Sequence, residues 1–202
     1  MTPASAAATL EPDPTAGCVS ADGSAEDTAA RLDGPAASPR QQLIVVASLL
    51  DKVPNLAGLA RTCEIFRAQS LVLADTSIIK RDPLFAAVSM TAEHWVSMTQ
   101  VTQVQLPGWL RGAQQEGYSL VGLEQTARSH NLHSFKFPAR TVLVLGAEAD
   151  GIPPDILSHL ECTIEIPQLG VVRSLNVHVS GALAIHEYTR QQRFGTQQLP
   201  DS

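Results

Sequence analysis

The runs Leu43-Ile44-Val45-Val46-Ala47 and Val142-Leu143-Val144-Leu145 are apolar at every position. A strand with one wet face alternates apolar with polar residues, so unbroken apolar runs belong to strands covered on both sides. Strands are therefore predicted over residues 43–48 and 142–145. Residues 71–73, part of 96–104, 118–123 and 162–166 read as further strands. Between them the spacing turns helical. Residues 55–66 place Leu56, Leu59, Ala60, Cys63 and Phe66 on one stripe behind the start signal Pro54-Asn55. Further helices are predicted over 82–88, 106–116, 153–160 and 175–191. Strands alternating with helices give an α/β fold, a mainly parallel sheet with helices on both faces. Ligands of such sheets bind beyond the carboxyl ends of the strands, so chemistry is expected in the segments that follow them.

Residues 1–39 differ from the rest. They are rich in Ala, Pro, Ser, Gly, Asp and Thr and hold no aromatic residue, so they bury too little apolar surface to offset their ordering entropy. They are predicted to be a disordered acidic leader, followed by one domain over 40–195 and a flexible tail over 196–202. The leader carries Glu11, Asp13, Asp22, Glu26, Asp27 and Asp33 against Arg31 alone. Taking these from the chain's 20 acidic and 14 basic residues leaves 14 and 13, so the net charge of −6 comes almost entirely from the leader. The nearly neutral remainder does not exclude a nucleic-acid partner, but any affinity for one must come from local placement of charge. No apolar run approaches the roughly 18 residues of a membrane span. The first ten residues lack the basic and apolar regions of a signal peptide, so the cytoplasm or nucleus is expected. Cys18, Cys63 and Cys162 are odd in number and far apart, a pattern of free thiols rather than of disulfides or a zinc site.

Three segments, each after a predicted strand, carry the candidate chemistry. The first is Asn55-Leu-Ala-Gly58-Leu-Ala-Arg61. Helical side chains lean toward the preceding turn, so Gly58 is expected to leave open space for the Arg61 guanidinium. There it can grip a phosphate bidentately, the alternative being an ordinary solvated arginine. The second is Gly146-Ala-Glu148-Ala-Asp150-Gly151-Ile-Pro153, a strand running through a glycine-flanked turn into a helix. It matches neither the dinucleotide fingerprint nor a phosphate-binding loop of the Walker type. The third is Ile166-Pro167-Gln168-Leu-Gly170-Val-Val-Arg173-Ser174-Leu175-Asn176-Val-His178, with Ser174 placed to cap the last helix. Asn176, in its first turn, can use both donor and acceptor toward a ligand.

Together the three segments resemble the three motifs of the SPOUT methyltransferases and, within that class, of the SpoU/TrmH family of RNA 2′-O-ribose methylases. The resemblance spans roughly residues 43–190, and the stretch from Ile166 to Gln192 looks most like the animal branch that methylates a D-loop guanosine of tRNA. It implies that residues 142–191 form a deep trefoil knot. It also implies a homodimer acting on RNA, most simply tRNA, with no metal and no membrane. S-adenosylmethionine is the implied cofactor, lined by Leu123, Glu124, Gln125, Thr126, Gly146, Gly151, Ile166, Pro167, Gln168, Ser174 and Leu175. Arg61 is the implied catalytic residue, with Asn55, Glu148, Ser174 and Asn176 around the target ribose, whose 2′-hydroxyl attacks the sulfonium methyl in line. Arginine is effectively never deprotonated in proteins, so gripping a phosphate and polarising the hydroxyl suits Arg61 better than acting as a base.

The chain departs from the family at Arg67, where glycine is usual and where an altered turn or an added RNA contact is expected. His178 is expected to be a satisfied structural histidine near the cofactor loop. Gly181, inside the last helix, points to close packing, as at a dimer interface. Glu124 is a candidate partner for a cofactor ribose hydroxyl, or an ordinary strand-end carboxylate. A methyltransferase of ribosomal RNA, an inactive scaffold that binds cofactor or RNA, and an unrelated nucleotide-binding or flavodoxin-like domain are the competing readings.

Overall fold

The computed structural model describes residues 39–172 and 174–195. The acidic leader (apart from Pro39), the tail and Arg173 therefore lie outside the described residues. Seven strands form one sheet: β1 (Gln41–Val46), β2 (Ala68–Leu73), β3 (Ser97–Gln100), β4 (Ser119–Leu123), β5 (His130–Asn131), β6 (Thr141–Leu145) and β7 (Cys162–Glu165). Their order is β3-β2-β1-β6-β4-β7-β5, and every neighbouring pair is parallel. The helices are α1 (Val53–Ile65), α2 (Ile78–Arg81), α3 (Pro83–Ser89), α4 (Leu106–Gln115), α5 (Pro154–Leu157) and α6 (Val177–Thr189).

The two apolar runs are the two central strands. Successive side chains of a strand point to opposite faces, and both faces are covered. Leu43 and Val45 of β1 join Leu143 and Leu145 of β6 in a core with Leu56, Leu59 and Ala60 of α1 and Ala184 and Ile185 of α6. Ile44 and Val46 join Val142 and Val144 in a second core with Leu106 and Leu110 of α4 and Ile156 of α5. β5 has only two residues, both exposed, and no apolar pattern to announce it.

α1 and α6 pack side by side, and two glycines set their distance. A Cβ at Gly181 would lie 2.8 Å from Leu59 Cδ2 and 3.2 Å from Leu145 Cδ1. The close packing expected at Gly181 is thus internal, against α1 and β6, and needs no dimer interface. A Cβ at Gly58 would lie 2.5 Å from Nδ1 and Cε1 of His178. The space beside Gly58 is therefore filled by an imidazole from α6, not by the Arg61 guanidinium. Thr62 donates its hydroxyl to the Gly58 carbonyl at 3.0 Å, so toward His178 Nε2, also at 3.0 Å, it can only accept. A ring proton on Nε2 suits that contact, and partial burial lowers the pKa of His178, which favours the neutral ring. The histidine is structural and satisfied.

The link from β4 to β6 travels to the sheet edge and back, and α6 is fastened along its return. Tyr188 donates its hydroxyl to the Ala139 carbonyl at 2.5 Å. The Gln191 amide accepts from the Phe137 N–H at 2.9 Å and donates to the Phe135 carbonyl at 2.7 Å. The rings of Phe135, Phe137 and Tyr188 stack edge to face between these bonds.

Arg67 keeps the turn that glycine usually makes. Its φ is +52°, in the left-handed region, and its N–H closes on the Glu64 carbonyl at 3.0 Å. It precedes β2, so it lies at the sheet edge opposite the carboxyl ends of the strands, away from the site described next.

Candidate active site

Three strand ends converge. β4 runs into Glu124 and Gln125, β6 into Gly146, and β7 into Ile166. After β6 the backbone folds back on itself: Ala147 and Gly151 exchange both backbone hydrogen bonds at 2.9 Å, and Gly151 has φ +67°. Glu148, Ala149 and Asp150 form the tip of this turn. The Glu124 carboxylate braces it, Oε2 accepting from the Ile152 N–H at 2.9 Å. A Cβ at Gly151 would come within 2.4 Å of that carboxylate, and one at Gly146 within 2.7 Å of the Gly151 backbone carbon and 2.8 Å of the carboxylate, so a larger residue at either position would force the turn or Glu124 to move.

Glu148 is held from two helices. Asn55, in the first turn of α1, donates its amide to Glu148 Oε1 at 2.5 Å. Asn176 donates to Asn55 Oδ1 at 2.9 Å and reaches Glu148 Oε1 at 3.5 Å. The same Asn176 caps α6, its Oδ1 accepting from the N–H groups of His178 at 3.0 Å and Val179 at 3.2 Å. Asn176 rather than Ser174 is thus the cap, and the helix begins at Val177 rather than Leu175. Lys52 completes the cluster with an ion pair to Glu148 Oε2. Two helix N-termini, each bearing partial positive charge, meet at one carboxylate.

Beside this cluster lies a cavity of about 340 Å³, in the range of small-molecule sites. Its walls include Leu123, Glu124, Gln125, Gly146, Gly151, Ile166, Gln168, Ser174 and Leu175, all expected at a cofactor site, and Glu148 at the rim.

Residues 42–186 match the SpoU rRNA Methylase family. The chain belongs to this family. It is 47% identical over 175 residues to the tRNA (guanosine(18)-2′-O)-methyltransferase TARBP1 of Mus musculus, covering 87% of this chain and 11% of that protein. It is 41% identical over 153 residues to the tRNA (guanosine(18)-2′-O)-methyltransferase of Saccharomyces cerevisiae, covering 75% of this chain and again 11% of the relative. The chain thus spans about a tenth of the length of these two proteins. Among solved structures, the TrmH/SpoU tRNA modifying enzyme of A. aeolicus superposes with a TM-score of 0.69 at 25% identity, covering 78% of each chain.

The three segments singled out in the sequence meet here, as Asn55 from the first, Glu148 from the second and Asn176 from the third. Asn55 and Asn176 do not line the cavity themselves but hold Glu148, which does, and three further expected residues lie apart from it. Arg61 is exposed on α1 and makes no hydrogen bond or ion pair among the described residues. Thr126 turns into a hydroxyl cluster, 3.0 Å from both Ser129 Oγ and Thr163 Oγ1. Pro167 is exposed and outside the lining. Lys52, Asp150, Glu165 and Ser180 belong to the site or its lining without having been singled out. For Lys52 a signal existed in the sequence. A lysine just before a helix start opposes the helix dipole unless an anion lies close by, and Glu148 is that anion.

Proposed function

We propose that this chain is an S-adenosylmethionine-dependent RNA 2′-O-ribose methyltransferase acting on tRNA, at a D-loop guanosine. The observation that carries this reading is the Asn55–Glu148–Asn176 cluster, one residue from each motif, held at the rim of the cavity. The mouse and yeast relatives are both named for methylation of guanosine 18 of tRNA. Solved structures of an rRNA methyltransferase from Sinorhizobium meliloti and of AviRb from Streptomyces viridochromogenes contain AdoMet.

The residues present fit that cofactor. Leu123, Ile164, Ile166 and Leu175 offer apolar wall to a flat base and an aliphatic chain. The carboxylates of Glu124 and Glu148 suit a cationic ligand, and Gln125, Gln168 and Ser174 provide donors and acceptors. The cofactor, when bound, supplies an electrophilic methyl group. The protein's part is placement: Asn55 and Asn176 fix Glu148, and Arg61, free of partners among the described residues, is available to an RNA phosphate. Positioning of this kind supplies much of the acceleration in a direct transfer.

The same reading carries two structural proposals. The C-terminal segment threads the link between β4 and β6 as a trefoil knot, supported by the bonds of Tyr188 and Gln191 to that link. The chain pairs as a homodimer, supported by exposed Val179 and Leu183, four residues apart along one side of α6. Ribosomal RNA is the second substrate reading, favoured by relatives such as the 23S rRNA (guanosine-2′-O-)-methyltransferase RlmB of Salmonella typhi, 29% identical over 138 residues.

Incubation with labelled S-adenosylmethionine and either total tRNA or rRNA, followed by mapping of the product, tests the proposal. A ribose methyl on a tRNA D-loop guanosine is expected. Label in rRNA alone moves the substrate, a methyl on a base overturns the 2′-O assignment, and cofactor binding without transfer to any RNA leaves a scaffold.

A further inference from the structure

The two oxygens of Glu148 are held in unlike ways. Oε1 takes amide donors from Asn55 and Asn176, both fixed by helix N-termini. Oε2 is paired, among the described residues, with Lys52 alone. The Lys52 side chain is 62% exposed, so this pair is screened by solvent and contributes little to stability. Its backbone, by contrast, is pinned: the Lys52 carbonyl accepts from the N–H of Asn55 at 3.0 Å and of Leu56 at 3.2 Å, and Pro54 follows. A flexible, wet ammonium therefore pivots from a rigid point beside the cavity rim.

From this asymmetry we infer that Lys52 is exchanged from Glu148 to a backbone phosphate of the RNA substrate. The exchange couples substrate arrival to the site. While free of RNA, Lys52 neutralises Glu148 and occupies its outer oxygen. When a phosphate takes the ammonium, Oε2 is released to accept a hydrogen bond from the substrate, and Oε1 stays anchored by the two asparagines. An ammonium is a compact charge with three donors on a flexible four-carbon stem, so it can change partners within the reach of that stem. The body of the chain is nearly neutral, so the local placement of cations such as Lys52 matters for any hold on RNA.

The inference rests on the RNA methyltransferase reading, and the test separates the two. The full 202-residue chain is prepared as wild type, Lys52→Met and Lys52→Arg. Each is assayed on a tRNA transcript for kcat and KM, and for tRNA binding by fluorescence anisotropy across a salt series. In Lys52→Met, KM for tRNA is expected to rise about fivefold, the scale of one exposed ion pair. The slope of log affinity against log salt should fall by about 1, the mark of one lost phosphate contact. Lys52→Arg should retain most of both. A fall in kcat with KM and salt slope unchanged would mean that Lys52 only orients Glu148, and would overturn the inference, as would a Lys52→Met enzyme indistinguishable from wild type. Failure of the wild type to bind or methylate any RNA removes the methyltransferase reading itself, and this inference with it.

Discussion

Replacing Gly58 by alanine tests whether the contact between α1 and α6 is as rigid as the geometry requires. Alanine in a helix interior normally stabilises by about 1 kcal/mol relative to glycine. Here the new methyl would sit 2.5 Å from two atoms of the His178 ring and 2.9 Å from a third. The ring cannot simply swing away, because Nε2 is bonded to Thr62 and the backbone of residue 178 is the first donor to the Asn176 cap. Overpacking of this severity costs about 3 kcal/mol, which leaves Gly58→Ala about 2 kcal/mol less stable than wild type. In a His178→Ala background the obstruction is gone, and the same substitution should stabilise by about 1 kcal/mol. The interaction energy of the double-mutant cycle is then about 3 kcal/mol, well outside the range of independent sites. Urea unfolding of the four proteins at pH 7.5 measures it. If Gly58→Ala costs the same in both backgrounds, within about 0.5 kcal/mol, the ring does not occupy that space and the reasoning fails.

Three further outcomes are expected. His178 has a folded pKa below its ordinary value near 6.5, because burial disfavours the charged ring. As the pH falls below about 6.5 the unfolded chain gains a proton that the folded one refuses, so stability declines on acidification. Urea midpoints between pH 7.5 and 5.5 should show that decline, and it should shrink in His178→Ala. Asn176→Ala removes a cap and should lower stability by about 1 kcal/mol and abolish methyl transfer. Asn176→Asp restores the cap but sets a second carboxylate beside Glu148, so the unfolding midpoint should recover while activity does not; recovery of both would detach the cap from the site. Arg61→Ala should abolish methyl transfer while leaving cofactor affinity, measured by calorimetry, near wild type, and full activity would remove Arg61 from the mechanism.

The central strands β1 and β6 were legible because burial on both faces writes itself into every residue. β5 was not, since two exposed residues carry no period. The start of α6 was misplaced by two residues because Ser174 is as good a cap by residue type as Asn176, and only the neighbouring Asn55 and Glu148 decide between them. Gly58 misled in a more instructive way. The reading that it opens a space was sound, but the occupant comes from 120 residues away in the chain, His178, and local spacing has no access to it. The cluster of Asn55, Glu148 and Asn176 was visible only through the resemblance to a family, because nothing in periodicity joins residues 93 and 121 positions apart. Leu123, Gly146 and Ile166 were named through the same resemblance, and the strand ends of a parallel sheet, where chemistry was expected, bring them to one place.

The fastening of α6 to the rest of the chain has a consequence for how the protein comes into being. Gln41, at the start of the first strand, donates to Thr189 at the end of the last helix, across 148 positions. Asn55 is joined to Asn176 across 121 positions. A chain growing on the ribosome can assemble β1, β2 and β6 early, yet it holds no complete site until its last helix has emerged and docked. Contacts this distant in sequence are slow to form. Activity should therefore appear late and abruptly in refolding, well after the far-ultraviolet signal of the sheet and helices has returned.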